Sequence, residues 1–168
     1  MSNSGPRVAV AGWIGSSNLG DELIFAAIQR MLLARGASCA ALSIDPEQTT
    51  AVHDCDAMTH RGPRDAVRLY RDLNEVQGLV FGGGGLLQSE TSPWNTPFHL
   101  SRIWTARSRK LPWVGVGLGV GEVRDRVARG LIHRTFRHAI GVTVRDPGSA
   151  ETLRALGVND AVVTADPV

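Results

Sequence analysis

The chain has 168 residues, 43% of them apolar and 20% charged, with a formal net charge of +2, a composition that suits one globular domain with a sizeable core and excludes a disordered or membrane-embedded chain. Its basic residues are spread along the sequence rather than gathered into a stripe, so nucleic acid is not an expected partner. No apolar run is long enough for a membrane span or a signal-peptide core.

Short runs rich in β-branched residues alternate with stretches of helical period, the pattern of βαβ units feeding a parallel sheet. In chain order the reading predicts a strand at 7–11, a helix at 21–35 ended by Gly36, a strand at 38–44, and a polar loop at 45–63 with room for a short helix or strand. It continues with a helix at 64–75, a strand at 78–81, a helix at 97–109, a strand at 113–117 and a helix at 123–138. A strand at 141–144, a helix at 148–156 closed by Gly157 and a strand at 161–165 complete it. No strand ends in a hairpin dipeptide, so the expected fold is a single α/β domain over 1–168 with a doubly wound, mainly parallel sheet of about six strands. Cys39 and Cys55 lack C-x-x-C spacing, which suits free thiols in the cytoplasm better than a disulfide or zinc site.

In a doubly wound sheet, ligands sit outside the carboxyl ends of the strands, and three turns expected there are rich in glycine. The first runs Gly12-Trp13-Ile14-Gly15-Ser16-Ser17-Asn18-Leu19-Gly20-Asp21-Glu22. Asp21 stands where a Walker loop would hold lysine, which argues against triphosphate binding. Two readings stay open. Asn18 or Gly20 caps the helix while Asp21 and Glu22 complement its dipole, or Asn18 and Asp21 face the cleft and handle a sugar hydroxyl. The second turn, Gly82-Gly83-Gly84-Gly85 followed by Leu86, Leu87, Gln88 and Thr91, either forms an anion nest of bare N–H groups or packs tightly beneath a helix. The third spaces Gly115, Gly117, Gly119 and Gly121 at every second residue, outside the frame of a dinucleotide fingerprint. Asp45 could imitate the acidic residue that holds a nicotinamide cofactor's ribose, but the first turn departs from that fingerprint.

The basic set is almost entirely arginine, with Lys110 the single lysine. Arginine suits carboxylate and phosphate contacts, although coding bias produces the same skew. Arg145, after a strand, is the best anion contact, with an ion pair to Asp146 as the competing role. His53, His60, His99, His133 and His138 lack metal-ligand spacing and read mostly as surface or packing residues. His99 draws some interest from its place after the second turn.

Taken together, Gly12-x-x-Gly15-x-x-Asn18-x-Gly20-Asp21-Glu22, the four glycines with Leu86-Leu87-Gln88, Val144-Arg145-Asp146-x-x-Ser149 and Thr164-Ala165-Asp166-Pro167 resemble the polysaccharide pyruvyltransferase family, in family order and over nearly the whole chain. The resemblance implies a Rossmann-like half of a glycosyltransferase-B-type fold. It also implies transfer of pyruvyl from phosphoenolpyruvate to a hydroxyl of a glycan or lipid-linked sugar, leaving a ketal on a cell-wall or exported polysaccharide, with no metal and no cofactor beyond that donor. Asp21 would then be the catalytic residue. Gly15, Asn18, Gly20, Gly83, Gly84, Gly85, Gln88, Thr91, Gly117, Gly119 and Arg145 would bind substrate. Gly117-Leu118-Gly119-Val120-Gly121-Glu122 departs from the family pattern by replacing an amide with an apolar side chain and adding a carboxylate. Family members are roughly twice as long, so this chain is expected to be an amino-terminal half that is inactive without its partner half and prone to dimerise. The competing function is a stand-alone module that binds a nucleotide-linked sugar or another anion without chemistry.

Overall fold

The computed structural model describes residues 5–87 and 94–168. Seven strands form one parallel sheet: β1 (Arg7–Ile14), β2 (Ser38–Ser43), β3 (Asp56–Thr59), β4 (Gly78–Gly82), β5 (Trp113–Leu118), β6 (Gly141–Val144) and β7 (Ala161–Val163), in the spatial order β3-β2-β1-β4-β5-β6-β7. The connecting helices are α1 (Leu19–Leu33), α2 (Pro46–His53), α3 (Ala66–Asp72), α4 (Asn95–Ser108), α5 (Arg126–Phe136) and α6 (Pro147–Ala155). The doubly wound α/β architecture is the one expected, and the strand order reverses between β1 and β4.

The winding leaves two cores. Beneath α1 lie Val10, Ile14, Ile24, Phe25, Ile28, Cys39, Ala41 and Val80. The larger core on the opposite face joins Ala9, Ala11, Leu42, Leu79 and Phe81 of the sheet to Leu69 of α3, Leu100 and Ile103 of α4, Ile132 and Phe136 of α5 and Leu153 of α6. Strand residues alternate between the two cores because successive side chains point to opposite faces. Burial on both faces is also why these strands read as short apolar runs.

The structure corrects several boundaries. The segment 45–63 holds both an α-helix, α2, capped by Asp45 with Pro46 at its first turn, and the edge strand β3, so the sheet has seven strands rather than six. Asp45 therefore serves as a helix cap: its Oδ1 accepts the Gln48 N–H at 3.2 Å. β1 continues to Ile14 through an irregularity between Ala11 and Ile14, taking Gly12 and Trp13 out of the turn. The amphipathic stretch 64–75 contains a short helix between 3₁₀ turns. α5 starts at Arg126 because Asp125 caps it, its carboxylate accepting the Ala128 N–H at 2.8 Å. Cys39 and Cys55 remain free thiols but stand close together, since Ala40 pairs with Asp56 across β2 and β3 and both line one small pocket.

Candidate functional site

Gly12, Gly82 and Gly117 all lie toward the carboxyl ends of their strands, as the glycine turns require. Around the first turn the local polar groups satisfy one another. The Asn18 side chain accepts the Gly20 N–H at 3.0 Å and the Asp21 N–H at 3.5 Å, which makes Asn18 the N-cap of α1. Gly15 has φ +77°, and a Cβ there would collide with Ser43 Oγ. Its N–H donates to Glu22 Oε1 at 2.8 Å, while Glu22 Oε2 meets His53 Nε2 at 2.8 Å. Glu22, read from the sequence only as a dipole partner, thus links the turn to α2. Gly15, Asn18 and Gly20 thus build the start of α1.

The second and third turns are zipped together. Gly83 N–H donates to the Val116 carbonyl at 2.9 Å, Gly119 N–H to the Gly84 carbonyl at 3.0 Å and Gly121 N–H to the Leu87 carbonyl at 3.0 Å. Gly83 and Gly84 have φ of +64° and +75°, a region that side chains rarely adopt. Gly83 packs beneath α1, where a Cβ would strike Ile24. Gly84 and Gly119 instead make room for charge. A Cβ on Gly84 would stand 2.6 Å from Asp21 Oδ1, and one on Gly119 would stand 2.9 Å from the Arg145 guanidinium. Gln88 and Thr91 lie outside the described residues.

The two later motif pieces converge on the same edge. Asp146 caps α6, accepting the Ser149 N–H at 2.7 Å and its hydroxyl at 2.9 Å. Ser149 Oγ in turn accepts the Val120 N–H at 2.9 Å, so this motif clamps the third turn. Gly117 N–H donates to Thr143 Oγ1 at 2.8 Å, and Pro167 occupies the space beside Gly117 where a side chain would be. Arg145 is 40% exposed and lies 3.6 Å from Asp146 and 3.4 Å from Asp166.

Beyond Arg145 opens a cavity of about 840 Å³, lined among others by Gly85, Gly119, Arg124, Arg126, Arg129 and Arg145, with Ser149 on its wall at the start of α6. Four guanidinium groups stand around this opening, with Glu122 and Asp146 of the same lining paired to Arg124 and Arg145, and the remaining positive balance makes an anion-attracting wall. Sequence reasoning found Arg145 and missed the other three, although Arg126 and Arg129 stand three apart at the start of one helix and so share a face. Asp21 is half-buried. Burial raises its carboxyl above the ordinary carboxylate range, the neighbouring Glu22 adds to this, and the Arg145 charge pulls it partly back. A carboxylate with raised proton affinity beside a cationic wall is chemically suited to take a proton from a hydroxyl.

Residues 18–168 match the family model described as polysaccharide pyruvyl transferase. The chain belongs to this family. No curated protein matches it. Among solved structures it is similar to S. aureus MnaA with UDP (TM-score 0.64, 10% identity, 96% of this chain and 44% of that one). It is also similar to a protein described as a UDP-N-acetylglucosamine 2-epimerase from Listeria monocytogenes (TM-score 0.61, 9% identity, 94% and 44%). At such identities the likeness is one of fold, and it supports the α/β, Rossmann-like architecture. The chain spans less than half the length of either structure. Among the described residues no helix is long and apolar enough to cross a membrane, and no group of three His, Cys, Asp or Glu is placed to hold a metal ion.

Proposed function

We propose that this chain is the amino-terminal half of a cytoplasmic polysaccharide pyruvyltransferase, using phosphoenolpyruvate as donor and a glycan or lipid-linked sugar as acceptor, with a second half completing the cleft. The supporting observation is that Asp21 and Arg145 flank the zipped Gly84–Gly119 pair, each standing where a glycine lacks a side chain. In this reading the arginine wall takes the carboxylate and phosphate of the donor, and Asp21 takes a proton from an acceptor hydroxyl. Two hydroxyl oxygens add in turn at the central carbon of the donor. One proton ends on the former methylene, which becomes the methyl group, and the other leaves with inorganic phosphate.

The test joins this chain to its second half and reads release of phosphate from phosphoenolpyruvate in the presence of a panel of glycans, with the ketal identified in the product. Glycan-dependent phosphate release accompanied by the ketal supports the reading, and its absence across the panel overturns it. The solved structure with UDP favours a second reading, a module that holds a nucleotide-linked sugar. Saturable UDP binding without phosphate release would select that one.

A further inference from the structure

Trp13 belongs neither to the glycine zip nor to the arginine wall. It lies in the irregular carboxyl end of β1, the strand beside the reversal in strand order, where open α/β sheets place their ligands. It lines the same small crevice as Gly12, Asp21 and Gly82. The residue is 36% exposed, yet its ring packs at steep angles against two rings near the start of α4, Phe98 and His99, each with its centroid 5.7 Å away.

Behind those rings sits an expensive group. Arg102 is fully buried, no carboxylate pairs with it among the described residues, and one of its terminal nitrogens has no hydrogen-bond partner. A buried charge without a counter-ion is a large cost, and an apolar residue of similar volume would serve packing better. Its contacts all go to rings. Nε donates to His60 Nδ1 at 3.1 Å, Nη1 meets His99 Nδ1 at 2.8 Å, and the guanidinium lies 4.4 Å from the Phe98 centroid. A guanidinium has no acceptor, so both imidazoles accept through Nδ1 and are neutral. Burial, reinforced by the Arg102 charge, lowers the proton affinity of each, that of His60 to about 4.

We propose that the exposed indole of Trp13 is the stacking platform for a sugar ring of the acceptor, and that Arg102 is the positioning residue that fixes it through His99 and Phe98. A sugar ring presents a face of polarised C–H groups, which the electron-rich face of an aromatic ring attracts, and a partly exposed ring already fixed by two neighbouring rings binds at little entropic cost. The inference rests on the sugar acceptor of the proposed function. It places the acceptor over β1, beside Asp21, and leaves the arginine wall to the donor.

The experiment uses the full chain with methyl glycosides of the galacto, gluco and manno series. It reads saturation-transfer NMR without donor, and KM for glycoside and for phosphoenolpyruvate where transfer occurs. Trp13→Ala is expected to abolish saturation transfer to the sugar C–H protons and raise glycoside KM about 10-fold, with the donor KM unmoved, while Trp13→Phe restores part of both. Arg102→Met, checked for an intact fold by circular dichroism, should move the glycoside KM in the same direction and leave the donor KM alone. Undiminished saturation transfer in Trp13→Ala, or none in the unaltered protein, overturns the platform. Saturation transfer that depends on Trp13 without any phosphate release supports the platform and overturns the proposed reaction alone.

Discussion

At β1 the glycine-rich turn closes on itself: Gly15 donates to Glu22, Asn18 takes the N–H groups of Gly20 and Asp21, and Ser43 fills the space beside Gly15. At β5 and β6 the same kind of sequence leaves a cavity of about 840 Å³ open in front of Arg145. The difference lies in what stands where a Cβ would be. Beside Gly15 and Gly83 it is the neutral packing of the protein itself, Ser43 and Ile24, whereas beside Gly84 and Gly119 it is a carboxylate and a guanidinium. A glycine run at a sheet edge is therefore not one signal. Its meaning depends on the element packed above it, which local sequence does not state.

The comparison breaks most visibly at Gly83. Gly83→Ala forces a side chain into Ile24 at φ +64°, combining overpacking with backbone strain, and should cost about 2–4 kcal/mol. A thermal midpoint that stays in place would mean that Ile24 moves aside and that this turn is not packed as described. The next effect is chemical. Asp21→Asn should lower glycan-dependent phosphate release about 10²–10⁴-fold, the usual worth of a general base, with the thermal midpoint close to that of the parent. Because the Asp21 carboxyl is raised, the acid limb of the activity profile should lie above the ordinary carboxylate range and vanish in the variant. Survival of activity within a few-fold would reduce Asp21 to a helix-start carboxylate.

On the open side, Arg145→Met should raise the KM for phosphoenolpyruvate about 10–100-fold, the worth of a charged hydrogen bond. Stability should barely change, since the contacts to Asp146 and Asp166 are partly exposed ion pairs of small value. If the variant melts early while KM is unmoved, the ion pairs are the residue's role.

A slower trend belongs to the buried histidines. His60 titrates near 4 in the fold against 6.5 in a free chain, and His99 is shifted in the same direction. The unfolded chain therefore binds more protons between these values, and stability is full above about pH 6.5 and falls as pH drops toward 4. The slope is at most about 1.4 kcal/mol per pH unit for each group. His60→Gln should flatten this slope in urea titrations across that range, and an unchanged slope would place the pH dependence elsewhere.

Alternating apolar runs and helical periods were enough to read six strands and the doubly wound order, because a parallel sheet buried on both faces leaves that trace. β3 was legible only as one option within the loop 45–63: it lies at the sheet edge, and of Asp56, Ala57, Met58 and Thr59 only Met58 is buried. Asp21 and Arg145 were legible because each follows a strand and opens a turn. The cluster of His60, His99 and Arg102 was not, since His60 lies 42 positions before Arg102 and meets the α4 pair only in the fold. His60 and His99, read mostly as surface or packing residues, are packing residues buried around a charge. Arg126 and Arg129 went unread in the sequence, because only the packing of α5 brings them to the same cavity as Gly119.

The smallest effect sharpens the comparison by supplying a glycine with no role. Gly130 lies inside α5, on the helix that brings Arg126 and Arg129 to the cavity, and a Cβ there would meet nothing within 4 Å. Its backbone is helical, so alanine removes conformational freedom from the unfolded chain without strain in the folded one. Gly130→Ala should therefore stabilise the protein by about 0.5–1 kcal/mol, read as an upward shift of the thermal midpoint, with kinetic constants for donor and acceptor unchanged. A loss of stability would show that α5 needs the missing side chain for a neighbour, and a change in donor KM would extend the anion site along the helix beyond Arg129. Opposite signs at Gly83 and Gly130 would establish that it is the occupied space beside a glycine, rather than its presence in the sequence, that marks the built edge of this sheet.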